Sequence, residues 1–355
     1  MNLKESVKIP AVSERNLVLL VILLILLIGI VLRPLKEVMM PIIIAIFLSF
    51  LLKPLVIFLK RKKAPSFLAV LITLLILFII LNLLGMLVYS SVLSFIREFP
   101  HYERKFEDLY FSLIKQFHIT HSDVKQFYFT DQWTGGSVNL LINYVFGSVF
   151  NFFSTFFLIL IILAFLLFGE GNLTRKAAMV FRGRVNYEKM LKRINFQVFS
   201  YLLTKTVISF LTGLAAGLIL AIYGVDFPIM WGFLTFLLNF IPNLGSIVAT
   251  VLPCLQSMIQ FGDLSRPLWI LFTLSFLQMV MGNILDPMFT GQNMNMSPVT
   301  VLISLIFWGW MWGIQGMFIA VPLTSIIMIV CENIPSLRFV AILMSNKEDE
   351  LLFED

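Results

Sequence analysis

Apolar runs dominate this chain, and short polar or basic stretches punctuate them. A bilayer crossing needs ~20 consecutive apolar residues, and runs near that length recur from one end of the chain to the other. The pattern predicts a first span over 16–32, a tight turn at Arg33-Pro34-Leu35-Lys36-Glu37, and a second span over 38–59. A third span over 66–95 and a fourth over 138–168 follow. The second half repeats one motif: a span over 199–223 precedes a longer segment over 227–261, then a span over 268–285 precedes another over 298–332. The longer segments exceed the length of one crossing, and each is interrupted. The first breaks at Ile241-Pro242-Asn243-Leu244-Gly245, the second between Gly309 and Gly316 in FWGWMWGIQGMFIAVPL. Each then closes on a similar phrase, Gly245–Ala249–Pro253 and Gly316–Ala320–Pro322.

This pattern predicts an all-α polytopic membrane protein of about eight membrane segments. Two of them are broken, as re-entrant hairpins of half-helices in an inverted repeat. A single tilted, Pro-kinked span would fit each long segment too, but the extra length favours the hairpin. The expected organisation is a three-span region over 1–96, an external amphipathic segment over 97–137, and a fourth span with a basic loop over 138–197. A transport core over 198–332 and a tail over 333–355 complete it. The first span is expected to be retained: it is longer than a signal-peptide core and lacks a small-residue cleavage site.

Charge orients the spans. Lys60-Arg61-Lys62-Lys63 is the densest basic cluster, and Arg175, Lys176, Arg182, Arg184, Lys189, Lys192 and Arg193 form a second basic region. Lys/Arg excess marks the cytoplasmic side, so both termini are expected in the cytoplasm and the charge-balanced stretch 97–137 outside. Within that stretch, Phe106, Leu109, Tyr110, Leu113 and Phe117 recur near helical spacing, which predicts an amphipathic helix. The chain is 59% hydrophobic and 13% charged, with a mean hydropathy of +0.95, far from the balance of a soluble domain. The net charge of +6 is accounted for by these topogenic clusters, so no nucleic-acid partner is expected.

Candidate chemistry is sparse. Cys254 and Cys331 lie in or beside apolar segments without ligand spacing, and His118 and His121 are paired without a third ligand. No phosphate-binding glycine loop, nucleophile–base pair or metalloprotease motif is present. A non-enzyme is expected, with no cofactor and no metal. Non-helical backbone at membrane depth is tolerated where it is buried in protein or lines a wet cavity, and paired interruptions in two repeats point to a transporter's binding site. The candidate pathway therefore gathers at the breaks and the seventh segment: Asn239, Pro242, Asn243, Gly245, Gln278, Asn283, Asp286, Pro287, Gly291, Gly309, Gly313, Gly316 and Pro322. Neutral amides can hydrogen-bond a polar solute without a buried charge, and glycines admit bends or close approach. Asp286 and Lys205 are the candidates for ion coupling, because intramembrane ionisable groups are expensive and usually functional. For Lys205 the expectation is that its ammonium snorkels to the cytoplasmic interface. Gly213 and Gly217 are expected to serve helix packing.

The stretches NFIPNLGSIVATVLP (239–253) and GNILDPMFTGQNMNMSPVTVLISLIFWGWMWGIQGMFIAVPLTSI (282–326) resemble the autoinducer-2 exporter (AI-2E) family of bacterial membrane proteins. That family's outline is F-I-P-x-x-G, then N-x-x-[ED]-P, then a glycine-rich run closing on G-x-x-x-A-x-P. The resemblance is close over the C-terminal half and extends to the layout of spans in the N-terminal half. It implies a homo-oligomeric, multi-pass transporter of the bacterial inner membrane. It also implies a small polar solute, the quorum-sensing signal autoinducer-2 being the associated cargo. Sodium or lithium/proton antiport is the alternative activity, and a structural membrane protein without transport is a third. Many relatives carry an acidic residue just before the glycine-asparagine pair, where this chain has Met281.

Overall fold

A computed structural model describes residue 29 and residues 31–116, 155–169, 187–290 and 295–346. All named elements among these are helical. In chain order they are α1 (Lys36–Arg61), α2 (Ser66–Gln116), α3 (Thr155–Gly169), α4 (Tyr187–Ile222), α5 (Pro228–Leu238), α6 (Leu244–Phe261) and α7 (Ser265–Gln278). A π-helical segment, Met279–Leu285, runs into α8 (Asp286–Thr290), followed by α9 (Pro298–Trp312), α10 (Ile314–Glu332) and α11 (Arg338–Met344). Among the described residues, six helical stretches are long and apolar enough to cross a membrane; α3, α5 and α9 are shorter apolar helices. The predicted first span, His118, His121, Gly291 and the segment 170–186 fall largely or wholly outside the described residues.

The third span does not stop at 95. α2 runs on unbroken for 51 residues through Pro100, about 77 Å at 1.5 Å per residue, so the expected external amphipathic segment begins as a continuation of the span. One face of α2 points outward: Phe67, Leu75, Ile80, Leu83 and Met86 are all exposed. In a membrane protein such a face meets lipid, and small residues are enriched where helices approach each other closely.

Glycine sets the contact between α4 and α5. A Cβ on Gly213 would lie 2.5 Å from the Gly232 carbonyl oxygen, and one on Gly232 would lie 2.7 Å from that of Gly213. α4 and α5 therefore touch backbone to backbone, which bears out the packing role expected of Gly213.

Each long segment is an antiparallel helical pair. In the first, Trp231 Nε1 donates to Gln256 Oε1, and the backbone N–H of Asp226 donates to Gln260 Oε1 at 3.0 Å. In the second, Trp308 Nε1 donates to Thr324 Oγ1 at 2.9 Å. α5 has 11 residues and α9 has 15, about 16 and 22 Å, so neither alone matches a ~30 Å hydrocarbon core. The open end of the first pair follows directly on the C-terminal end of α4. That of the second lies at the N-terminal end, where Arg193 pairs with Glu332 at 2.5 Å. The two pairs thus point in opposite directions along α4. They meet through Phe240 and Phe318, ring centroids 6.1 Å apart, and through Ile241 in one core with Trp308, Met311 and Ala320.

Candidate functional site

The first break occupies Asn239–Asn243, with α6 resuming at Leu244. Gly245 is therefore helical, in contrast to the expectation that the non-helical stretch extends through it. Its role is contact: a Cβ there would fall 1.8 Å from the Leu238 carbonyl oxygen. The second break narrows from the expected Gly309–Gly316 stretch to the single residue Gly313, at φ +68° and ψ −149°. Gly316 repeats the role of Gly245, since its Cβ would lie 2.0 Å from the Trp308 carbonyl oxygen. In both pairs, then, the glycine early in the returning helix is pressed against the last turns of the outgoing one. The matching alanines Ala249 and Ala320 are buried behind it, with Pro253 and Pro322.

Backbone strain concentrates at Asn243, which sits at φ +60°, ψ −57°. Leu244 N–H donates to the Pro242 carbonyl at 2.7 Å, closing a three-residue γ-turn of the rare, strained hand. Such a conformation costs about 1–3 kcal/mol and persists only where its surroundings impose it. The local cause is Pro242, which has no N–H to continue the helix. The Asn239 amide anchors the turn by donating to Ser209 Oγ at 3.0 Å.

A cavity of about 580 Å³ opens beside this turn. Its walls are Tyr201 and Lys205 of α4; Asn239, Pro242, Asn243, Ser246 and Ile247 around the break; and Ser275, Gln278, Met279, Gly282 and Asn283 of α7 and the π segment. Asp286, Val301 and Val321 complete it. Asn243, at the N-cap of α6, makes no side-chain capping bond, so the start of a helix with its partial positive charge faces a polar chamber. The π segment contributes by widening one turn, a distortion frequent at functional sites.

Lys205 Nζ donates to Asp286 Oδ2 at 2.6 Å, with the side chains 7% and 21% exposed. The snorkelling expectation for Lys205 is thereby corrected: its ammonium is buried and held by a carboxylate from an element 81 residues away. The pair leaves a polar but charge-compensated wall. Gln278 Oε1 is buried without a hydrogen-bond partner among the described residues. An unmade bond of this kind costs about 1–3 kcal/mol, and here the acceptor belongs to a residue lining the cavity.

Seven of the residues singled out in the sequence share this chamber: Asn239, Pro242, Asn243, Gln278, Asn283, Asp286 and Lys205. Pro287 follows Asp286 in α8. Gly309, Gly313, Gly316 and Pro322 are absent from the walls. The Gly313 turn instead lies toward Lys36 at the start of α1, while Trp312 Nε1 donates to the Leu32 carbonyl at 3.3 Å. The candidate pathway residues of the second break therefore do not share the chamber with Asn243; the Gly313 turn packs toward α1 instead. Tyr201, Ser246, Ser275 and Gly282 were not anticipated. Tyr201 could have been found one helical turn before Lys205, and Ser275 three residues before Gln278, each on the same helix face.

Comparison with known proteins adds identity to this geometry. The description "AI-2E family transporter" matches residues 20–336. The AI-2 transport protein TqsA of Escherichia coli is 32% identical over 94% of this chain and 96% of its own length. A Borreliella burgdorferi protein, provisionally named a transport protein, is 30% identical over 88% of this chain and 86% of its own. A Haemophilus influenzae protein with the same provisional name is 28% identical over 88% and 91%. Among the described residues, six membrane-length helices and two broken-helix pairs around a polar cavity are thus joined to sequence similarity along nearly the whole chain, and the protein belongs to the AI-2E family of multi-pass membrane transporters.

Proposed function

We propose that this transporter exports a small, neutral, hydroxyl-rich solute of the autoinducer-2 type across the bacterial inner membrane, and that the solute binds in the cavity at the Pro242 break. The observation that carries this reading is the composition of the chamber. Neutral amides, serines and a helix start surround an internally compensated Lys205–Asp286 pair. A polyhydroxylated solute offers both donors and acceptors to such walls, whereas an ionic one would confront a charge already neutralised. The Gln278 oxygen left without a partner suits a hydroxyl donor on the solute. The name of the Escherichia coli relative supports the same cargo.

In this reading the helical pairs are re-entrant, entering from opposite faces of the membrane, and both termini are cytoplasmic. The copies assemble as homo-oligomers. A cysteine at Lys62 would then react with membrane-permeant reagents alone in intact cells.

The second reading is cation/proton antiport, favoured by the placement of Asp286, the only carboxylate lining the cavity among the described residues. Vesicle transport separates the two. Efflux of autoinducer-2 that Pro242→Ala abolishes, without sodium-dependent proton flux, is the expected result. A sodium-dependent proton flux lost in Asp286→Asn, with no autoinducer-2 movement, would replace the exporter by the antiporter.

A further inference from the structure

A second cavity, of about 610 Å³, lies between α1 and α4, away from the transport chamber. Its lining combines Lys53, Arg61 and Lys192 with four phenylalanine rings, and it contains no carboxylate. The cations are graded along the helices. Arg61 ends α1 and Lys192 lies in the second turn of α4, whereas Lys53 sits eight residues before Arg61, about 12 Å deeper along the helix. Phe196 and Phe199 extend the apolar wall inward from Lys192, and Phe196 is exposed. Both helices are among those apolar enough to span, so the groove runs from headgroup level into the hydrocarbon region.

We propose that this groove binds an anionic phospholipid. Arg61 and Lys192 hold the phosphate, Lys53 reaches it from below, and an acyl chain lies along Ile57, Phe196 and Phe199. Basic pockets between transmembrane helices recognise lipid headgroups in this way, by charge at the rim and apolar area beneath. A soluble anion would use the rim and leave the aromatic wall unmatched. The segment 170–186, which precedes α4 in the sequence, is itself basic and has the wrong sign to fill the groove. Residues 347–355, rich in acidic and apolar side chains, are the competing occupant that the experiment must separate.

The test is native mass spectrometry of the purified full chain, with phosphatidylglycerol and phosphatidylcholine of identical acyl chains. Wild type should retain phosphatidylglycerol at least about tenfold better, since each basic residue near an anionic surface is worth about a factor of five. Arg61→Gln/Lys192→Gln should cut that retention by about 30-fold with the Tm unchanged. Lys60→Gln/Lys63→Gln, which removes the same charge from outside the groove, should leave retention intact. Equal retention of the two lipids, or equal loss in both double variants, would overturn the proposal. Retention that emerges only after residues 347–355 are deleted would assign the groove to the acidic tail. Displacement of the lipid by millimolar inorganic phosphate would assign it to a soluble anion.

Discussion

Breaking the Lys205–Asp286 pair by Asp286→Asn gives a sharp test of how the transport chamber is held. At 2.6 Å and an effective dielectric of ~20, the gross attraction between the charges is about 6 kcal/mol. Desolvation offsets most of it in the folded protein, so the pair adds little net stability. Removing one partner has a different consequence. The Lys205 ammonium would lose its carboxylate partner in a site where its side chain is 7% exposed, and an orphaned buried charge typically costs 3–5 kcal/mol. Asp286, at 21% exposure, admits some water to the vacated side, which favours the lower end, about 3 kcal/mol. With roughly 2 °C per kcal/mol for a chain of this size, Asp286→Asn should lower the Tm by about 6 °C. Lys205→Met/Asp286→Leu removes both charges and should return the Tm to within about 2 °C of wild type. Solute efflux should be lost in the double variant even so, because two polar groups of the chamber wall are replaced by apolar ones. Thermal melts in nanodiscs, paired with vesicle efflux, read both quantities. An unchanged Tm for Asp286→Asn, or a double variant as unstable as the sum of the singles, would refute the buried-pair account.

The hairpin glycines make a second prediction. Gly245→Ala and Gly316→Ala each drive a methyl group into backbone, at 1.8 and 2.0 Å, and should each destabilise the fold by at least about 3 kcal/mol, seen as lost monodisperse protein. Gly282→Ala meets nothing within 4 Å, so it should fold normally and alter only solute efflux. Gln278→Leu removes a buried oxygen without a partner. It should leave stability unchanged or raise it by about 1 kcal/mol while weakening export, and a variant that melted earlier would show that this oxygen is already satisfied.

Local covalent chemistry and hydropathy made the gross architecture legible in the chain itself. A run of apolar residues must be helical in lipid, because every backbone polar group has to be satisfied within the segment. A proline followed by asparagine in such a run must interrupt it. These rules locate the spans, the break at Pro242 and the pairing of two broken segments, and they pick out the amides that meet in one cavity. Tertiary structure decided what depends on contacts between distant elements. Lys205 looked able to reach the interface, since its depth follows from packing against the π segment and Asp286 rather than from its place in α4. Gly245 and Gly316 looked like sites of a bend or of close approach to the solute. Each is a helical residue whose missing side chain admits the partner helix's carbonyl, a requirement visible only once two helices cross. The Gly313 turn faces Lys36 rather than the chamber, because α1, some 280 residues earlier in the chain, packs against it. Hydrophobicity acts residue by residue and can be read in order along the chain; proximity across 81 residues arises only from the packed fold.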